Sequence, residues 1–230
     1  MEVLKVLKSP VATESKFLIY SIAFTIVCHG AAMLAMLAFL LPGIPGGSHP
    51  LVTDRIAYIA SHPLIWRLGW FPWQMTALSD LVMAIALVRT AWIPKPSAWG
   101  SLGFTVVAIL VEQPAEFRWV TQGVDIAQSK DFSEYLMLES QLFHLTSHWA
   151  ALLYTIAAIF WSLSLSKTKA WSVWMTRLSV VLWGLLLVVS IVPLAFPIVN
   201  ASVVSVGNAI GFNLMMAWFV GAFYLVKKRA

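Results

Sequence analysis

Charge is scarce in this chain. Only 11% of its 230 residues are Asp, Glu, Lys or Arg, against roughly 25% in soluble domains. So few charges cannot coat a water-facing surface, which excludes an ordinary soluble fold. Cysteine is scarcer still. Cys28 stands alone, so an intrachain disulfide and any multi-cysteine zinc or iron–sulfur site are excluded. The phosphate loop, the Gly-x-Ser-x-Gly elbow, the HExxH pair and the dinucleotide fingerprint are all missing. Internal repeats and low-complexity stretches are missing too. The formal net charge is +5, but the basic residues lie at the ends of apolar runs rather than in one patch. A nucleic-acid partner is therefore not expected.

Apolar residues are abundant, at 60%, and the mean hydropathy is +0.83. Six apolar segments stand out, at roughly 16–42, 65–88, 98–115, 135–165, 172–193 and 202–226. Each can cover about 30 Å of hydrocarbon at a rise of about 1.5 Å per residue. The expected fold is all-α: a polytopic membrane protein with six transmembrane helices in one bundle, residues 1–230 forming a single transmembrane domain. The first run exceeds the ~7–15 residues of a signal-peptide core, so it reads as a true span.

Direction follows from lysine and arginine. Eleven of the 15 fall on one side: Lys5, Lys8, Lys16, Arg89, Lys95, Lys167, Lys169, Arg177, Lys227, Lys228 and Arg229. Arg55, Arg67, Arg118 and Lys130 fall on the other. The expected location is a bacterial inner (cell) membrane, with both termini cytoplasmic. Trp66, Trp70 and Trp73, with Trp92, Trp99, Trp161, Trp171 and Trp174, are expected at the headgroup level. In the first outer loop, Leu51, Val52, Ile56 and Ile59 have helical spacing and predict a short helix on the outer surface. The third segment is expected to end or kink at Pro114, with Glu116 in the outer loop and Arg118 paired to Glu112 or Glu116.

An ionisable group inside a membrane is costly, near +2.5 to +3.5 kcal/mol for Asp or Lys at a helix centre. Each one therefore calls for a reason. By depth, His29, Asp80 and His148 share one level, and Glu112, Glu139 and Asn208 share a shallower outer one. The candidate catalytic residues are Asp80, Glu112, His144 and His148. His144 and His148 stand at i and i+4, on one helix face. Two such imidazoles can bind a divalent metal with Glu112, Asp80 or His29 as a third ligand, or serve haem singly with His29 on the opposite side. Alternatively, each polar group simply hydrogen-bonds a neighbouring helix.

The run Trp66-Arg67-Leu68-Gly69-Trp70, Glu112, His144, and Gly207-Asn208-Ala209-Ile210-Gly211-Phe212 leading to Ala217-Trp218 resemble a class of small six-span bacterial membrane proteins of uncharacterised function. That resemblance implies a six-helix fold. The ceramidase and adiponectin-receptor superfamily places its zinc-binding HxxxH in the last span, whereas here the pair lies in the fourth.

Three functions stay open at this point. One is an enzyme or binder acting on a lipophilic small molecule by acid/base or metal chemistry. The second is a non-catalytic subunit whose Gly207/Gly211 face packs on a membrane-protein partner. The third is a small proton-coupled transporter. Membrane lipids are partners in every case.

Overall fold

The computed structural model describes residues 11–90, 93–166, 171–196 and 200–229. Lys5, Lys8, Trp92, Lys167 and Lys169, used above to set direction and anchoring, lie outside the described residues. Everything with regular structure there is helical. Helix α1 (Val11–Ala35) runs into a π-helical turn, Met36–Leu40. Then come α2 (Val52–Ser61), α3 (Pro63–Arg89), α4 (Lys95–Val120), α5 (Gln122–Ser129) and α6 (Phe132–His144). A second π turn, Leu145–Ala150, joins α6 to α7 (Ala151–Ser166), and α8 (Val173–Ala195) and α9 (Ala201–Arg229) complete the chain.

Five stretches are long and apolar enough to cross a membrane: Lys16–Leu40, Pro63–Arg89, Phe132–Leu163, Val173–Ala195 and Ala201–Lys228. The chain is thus a multi-span helical membrane protein. Helix α4 is long, at 26 residues, but its outer half carries Glu112, Gln113, Glu116 and Arg118, and it is not among the five. Pro114 does not end it. The helix continues through the proline to Val120, with the proline ring on an exposed face.

Each long helix packs on the next in chain order: α1 on α3, α3 on α4, α4 on α7, α7 on α8 and α8 on α9. Helix α9 returns to α1, closing the ring. Outward faces bear residues suited to lipid, such as Val27, Leu34, Val180 and Val203. At one end of the ring, Trp218 is fully buried among Trp161, Trp171 and Trp183, and its indole N–H donates to Ser179 at 2.8 Å. The glycines of α9 are used within the chain. A Cβ on Gly211 would run into the Leu186 side chain of α8, and one on Gly207 would lie 2.6 Å from Val189.

Helices α2, α5 and the start of α6 pack together as a cap over the opposite end. The surface helix expected near Leu51–Ile59 is α2. Its Arg55 is buried and donates to both oxygens of Glu139. Burial pushes the Tyr58 phenol above its ordinary pKa, and its hydroxyl donates to the Phe39 carbonyl at 2.6 Å.

Several expectations about tryptophan are corrected here. Trp66 and Trp70 are buried, at 0% and 6% exposure, rather than exposed as headgroup anchors would be. Trp66 donates to the Trp119 carbonyl at 3.0 Å, and Trp70 stacks on the Trp119 ring. The i, i+4, i+7 stripe faces the bundle interior, where the α4 backbone takes the Trp66 indole N–H in place of water. Trp161 and Trp171 are buried as well, whereas Trp99 and Trp174 are exposed as anchors should be.

Candidate functional site

The ring of helices encloses a cavity of about 390 Å³ whose wall draws on all six long helices. Its apolar lining includes Met33, Trp70, Trp73, Trp119, Phe212 and Phe219. Its ionisable lining consists of His29, Asp80, Glu112, Glu116 and Tyr154.

Each of these groups is placed by its own helix. On α1, Thr25 donates to the Ser21 carbonyl at 3.1 Å and to the Ser79 carbonyl of α3 at 3.3 Å, clamping the two helices. One turn on, His29 is 4% exposed. Its Nδ1 lies 3.0 Å from the Thr25 carbonyl. A carbonyl only accepts, so Nδ1 carries the hydrogen and Nε2 is turned toward Asp80. Nε2 stands 3.8 Å from Asp80 Oδ2, beyond hydrogen-bond reach. Phe212 and Phe219 of α9 hold the imidazole ring from the side. Asp80 Oδ1 is buried and has no hydrogen-bond partner.

Glu112 and Glu116 sit one turn apart on the inner face of α4 and both reach the cavity. Tyr154 of α7 donates its hydroxyl to Glu112 Oε2 at 2.8 Å. Gln113 donates to Glu116 Oε2 at 3.2 Å, and Glu116 is 2% exposed. Arg118 pairs with neither glutamate. It donates to Gln122 at 2.9 Å and Gln141 at 3.1 Å, which ties α4 to α5 and α6.

His144 and His148 do not line this cavity. Trp149 Nε1 donates to His144 Nε2 at 3.1 Å. With Nε2 accepting, the His144 hydrogen sits on Nδ1 and is donated to His148 Nδ1 at 3.1 Å. The hydrogen of His148 is then on its Nε2, which is buried without a partner. The pair is a hydrogen-bonded chain along one helix. Among the described residues no three His, Cys, Asp or Glu side chains are placed to share a metal ion. His29 therefore does not join His144 and His148 as a third ligand. It belongs to the Asp80 cavity, on whose wall neither of the other histidines stands.

Of the four candidate catalytic residues, then, the fold gathers Asp80 and Glu112 and leaves His144 and His148 elsewhere. It adds two groups that sequence reasoning had not assigned to a site, Glu116 and Tyr154, and it places His29, expected as a metal or haem ligand, beside Asp80. Glu139, expected at the depth of Glu112, is committed to Arg55. Glu112-x-x-x-Glu116 was a visible i, i+4 signal. It was hidden by the assumption that Pro114 stops the helix.

The chain matches no family model, no curated protein and no solved structure. The resemblance to small six-span bacterial membrane proteins rests on the quoted residues alone.

Proposed function

We propose that this chain is a six-span protein of a bacterial inner membrane, with both termini cytoplasmic, that holds a lipophilic small molecule in the cavity of its helix ring. Asp80, Glu112 and Tyr154 are its proton-donating and proton-accepting groups. The observation that carries this reading is the convergence of these three residues, from α3, α4 and α7, on one largely apolar cavity. Cavities with apolar walls and a few converging polar groups are the usual form of a small-molecule site.

The sixth span is α4. Its mean polarity comes from residues that face inward, where Glu112 and Glu116 meet the cavity rather than lipid. Its outward side carries Val106, Val107, Leu110 and Phe117, all exposed. A helix built this way spans with its carboxyls in the bundle interior, as intramembrane ionisable groups do. Six spans place both ends on the lysine- and arginine-rich side.

The test is mass spectrometry of organic extracts from the protein purified in mild detergent, beside an extract of the same membranes carrying an empty vector. A lipophilic molecule near one per chain is expected, with retention lowered about tenfold by Asp80→Asn while the protein stays folded. Equal content in wild type and variant, or no enrichment over the control, removes the proposal.

A further inference from the structure

Taking the cavity as a lipophilic-ligand site, we infer the charge class of the ligand. It is a cationic amphiphile whose amine or quaternary ammonium sits among Asp80, Glu112 and Glu116, with its apolar part along the aromatic wall.

Sign imbalance is the first support. The chain has 15 basic residues to 10 acidic ones, yet the cavity wall carries three carboxyls and not one Lys or Arg. The described arginines nearest the outer cap are occupied elsewhere: Arg55 by Glu139, Arg67 by the Val120 carbonyl and Asp125, and Arg118 by Gln122 and Gln141. Among the described residues no Lys or Arg nitrogen comes within 4.0 Å of the three carboxyls, and the one ionisable nitrogen on the wall, His29, is near Asp80 alone.

The second support is what the wall leaves unmatched. Asp80 Oδ1 is buried on the wall without a partner. Buried polar atoms are ordinarily satisfied, so it marks a contact that the chain itself does not supply.

The third is the nature of the apolar lining. Trp70 and Trp119 stack with centroids 6.0 Å apart, Trp73 meets Phe212 edge-on at 5.2 Å, and Phe219 lies beside His29. Indole and phenyl faces are negative and attract cations, with tryptophan the strongest. An anionic amphiphile would face three carboxyls without a counter-charge. A neutral one can donate a hydrogen bond to Asp80 but brings no counter-charge to the three carboxyls. A cation answers both the carboxyls and the ring faces.

The experiment uses the full chain in lipid nanodiscs and follows intrinsic tryptophan fluorescence, since the cavity is walled by indoles. Three probes share one octyl chain and end in trimethylammonium, in its uncharged tert-butyl isostere, or in sulfonate. The quaternary probe carries a fixed charge, so its own titration does not enter. It should bind about tenfold more tightly than the isostere and more tightly still than the sulfonate. Asp80→Asn and Glu116→Gln should weaken the ammonium probe about tenfold and leave the isostere unchanged. Equal affinity for ammonium and isostere in the wild type, or tighter binding of the sulfonate, overturns the charge class and leaves the lipophilic cavity standing. No saturable binding of any probe overturns both readings. The wild-type comparison needs no variant, so a variant that does not fold leaves the decision intact.

Discussion

Arg55 and Glu139, 84 residues apart in sequence, meet in a two-pronged ion pair: Nε to Oε1 at 2.7 Å and Nη2 to Oε2 at 2.5 Å. The free corner of the guanidinium, Nη1, donates to the Pro50 carbonyl at 2.8 Å and the His49 carbonyl at 3.2 Å. The pair thus fastens α2, the loop before it and α6 into one cap. Removing one partner leaves a buried charge uncompensated, which costs about 3–5 kcal/mol. Glu139→Ala and Arg55→Ala should each lower the unfolding free energy of the purified protein by that amount. The double variant Arg55→Met/Glu139→Met should recover much of the loss, since well-packed apolar pairs replace buried ion pairs at little cost. Additive losses in the double variant would show that the two residues act separately.

The same logic separates the two histidine readings. His144 and His148 are joined to each other and to Trp149 by hydrogen bonds within one helix. His144→Ala removes both and should therefore lower stability by about 1–3 kcal/mol, the ordinary worth of two hydrogen bonds. The metal content of the detergent-purified protein should not change, and a chelator should leave the melting temperature where it was. Stoichiometric zinc or iron that disappears in His144→Ala or His148→Ala would reinstate the metal pair with ligands from elsewhere.

Helices α8 and α9 approach most closely where α9 has glycine. A methyl group at Gly211 collides with Leu186, and overpacking a close helix contact costs about 1–3 kcal/mol. Gly211→Ala should be destabilised by that amount, and Gly211→Ala combined with Leu186→Ala should regain part of it. A Gly211→Ala variant with wild-type stability would mean that the two helices part readily at this point.

The direction of the chain is open to a direct chemical reading. Cys28, the lone cysteine, is buried, so Cys28→Ser gives a clean background for thiol labelling. A cysteine at Lys95→Cys, at the start of α4, should react with a membrane-impermeant reagent only after permeabilisation. One at Lys130→Cys, between α5 and α6, should react in intact cells. Both sites labelling from the same side would remove α4 as a span and place the termini on opposite faces.

How much of this was legible in the sequence depends on the range of the interaction. Apolar runs are local, and the helices α3, α8 and α9 begin and end within a few residues of the segments read from hydropathy. The cap helix α2 announced itself by the spacing of Val52, Ile56 and Ile59. Depth was legible too, since a constant rise per residue put His29 and Asp80 at one level, and they are neighbours. Azimuth was not. Which way Trp66, Glu112 or His148 faces depends on helix rotation, and that is set by partners far away in sequence. Hence the tryptophan stripe was assigned to the headgroups when it belongs to the core. Tyr154, one aromatic residue in an apolar run, gave no sign that it would meet Glu112.

The two π turns, Met36–Leu40 and Leu145–Ala150, place Met36, Leu37, Thr146 and Ser147 on the cavity wall. A π turn is an α-helix that has accepted one surplus residue. Elsewhere in these spans, loss of a single codon would swing everything beyond it by about 100° around the helix axis and turn lipid-facing side chains inward. At these two turns the surplus residue can be given up with the ladder closing to regular α-helix. The cavity is therefore bordered by the two points at which the chain tolerates a change of length inside the membrane, so its outline can be retuned by single-residue deletions as well as by substitutions.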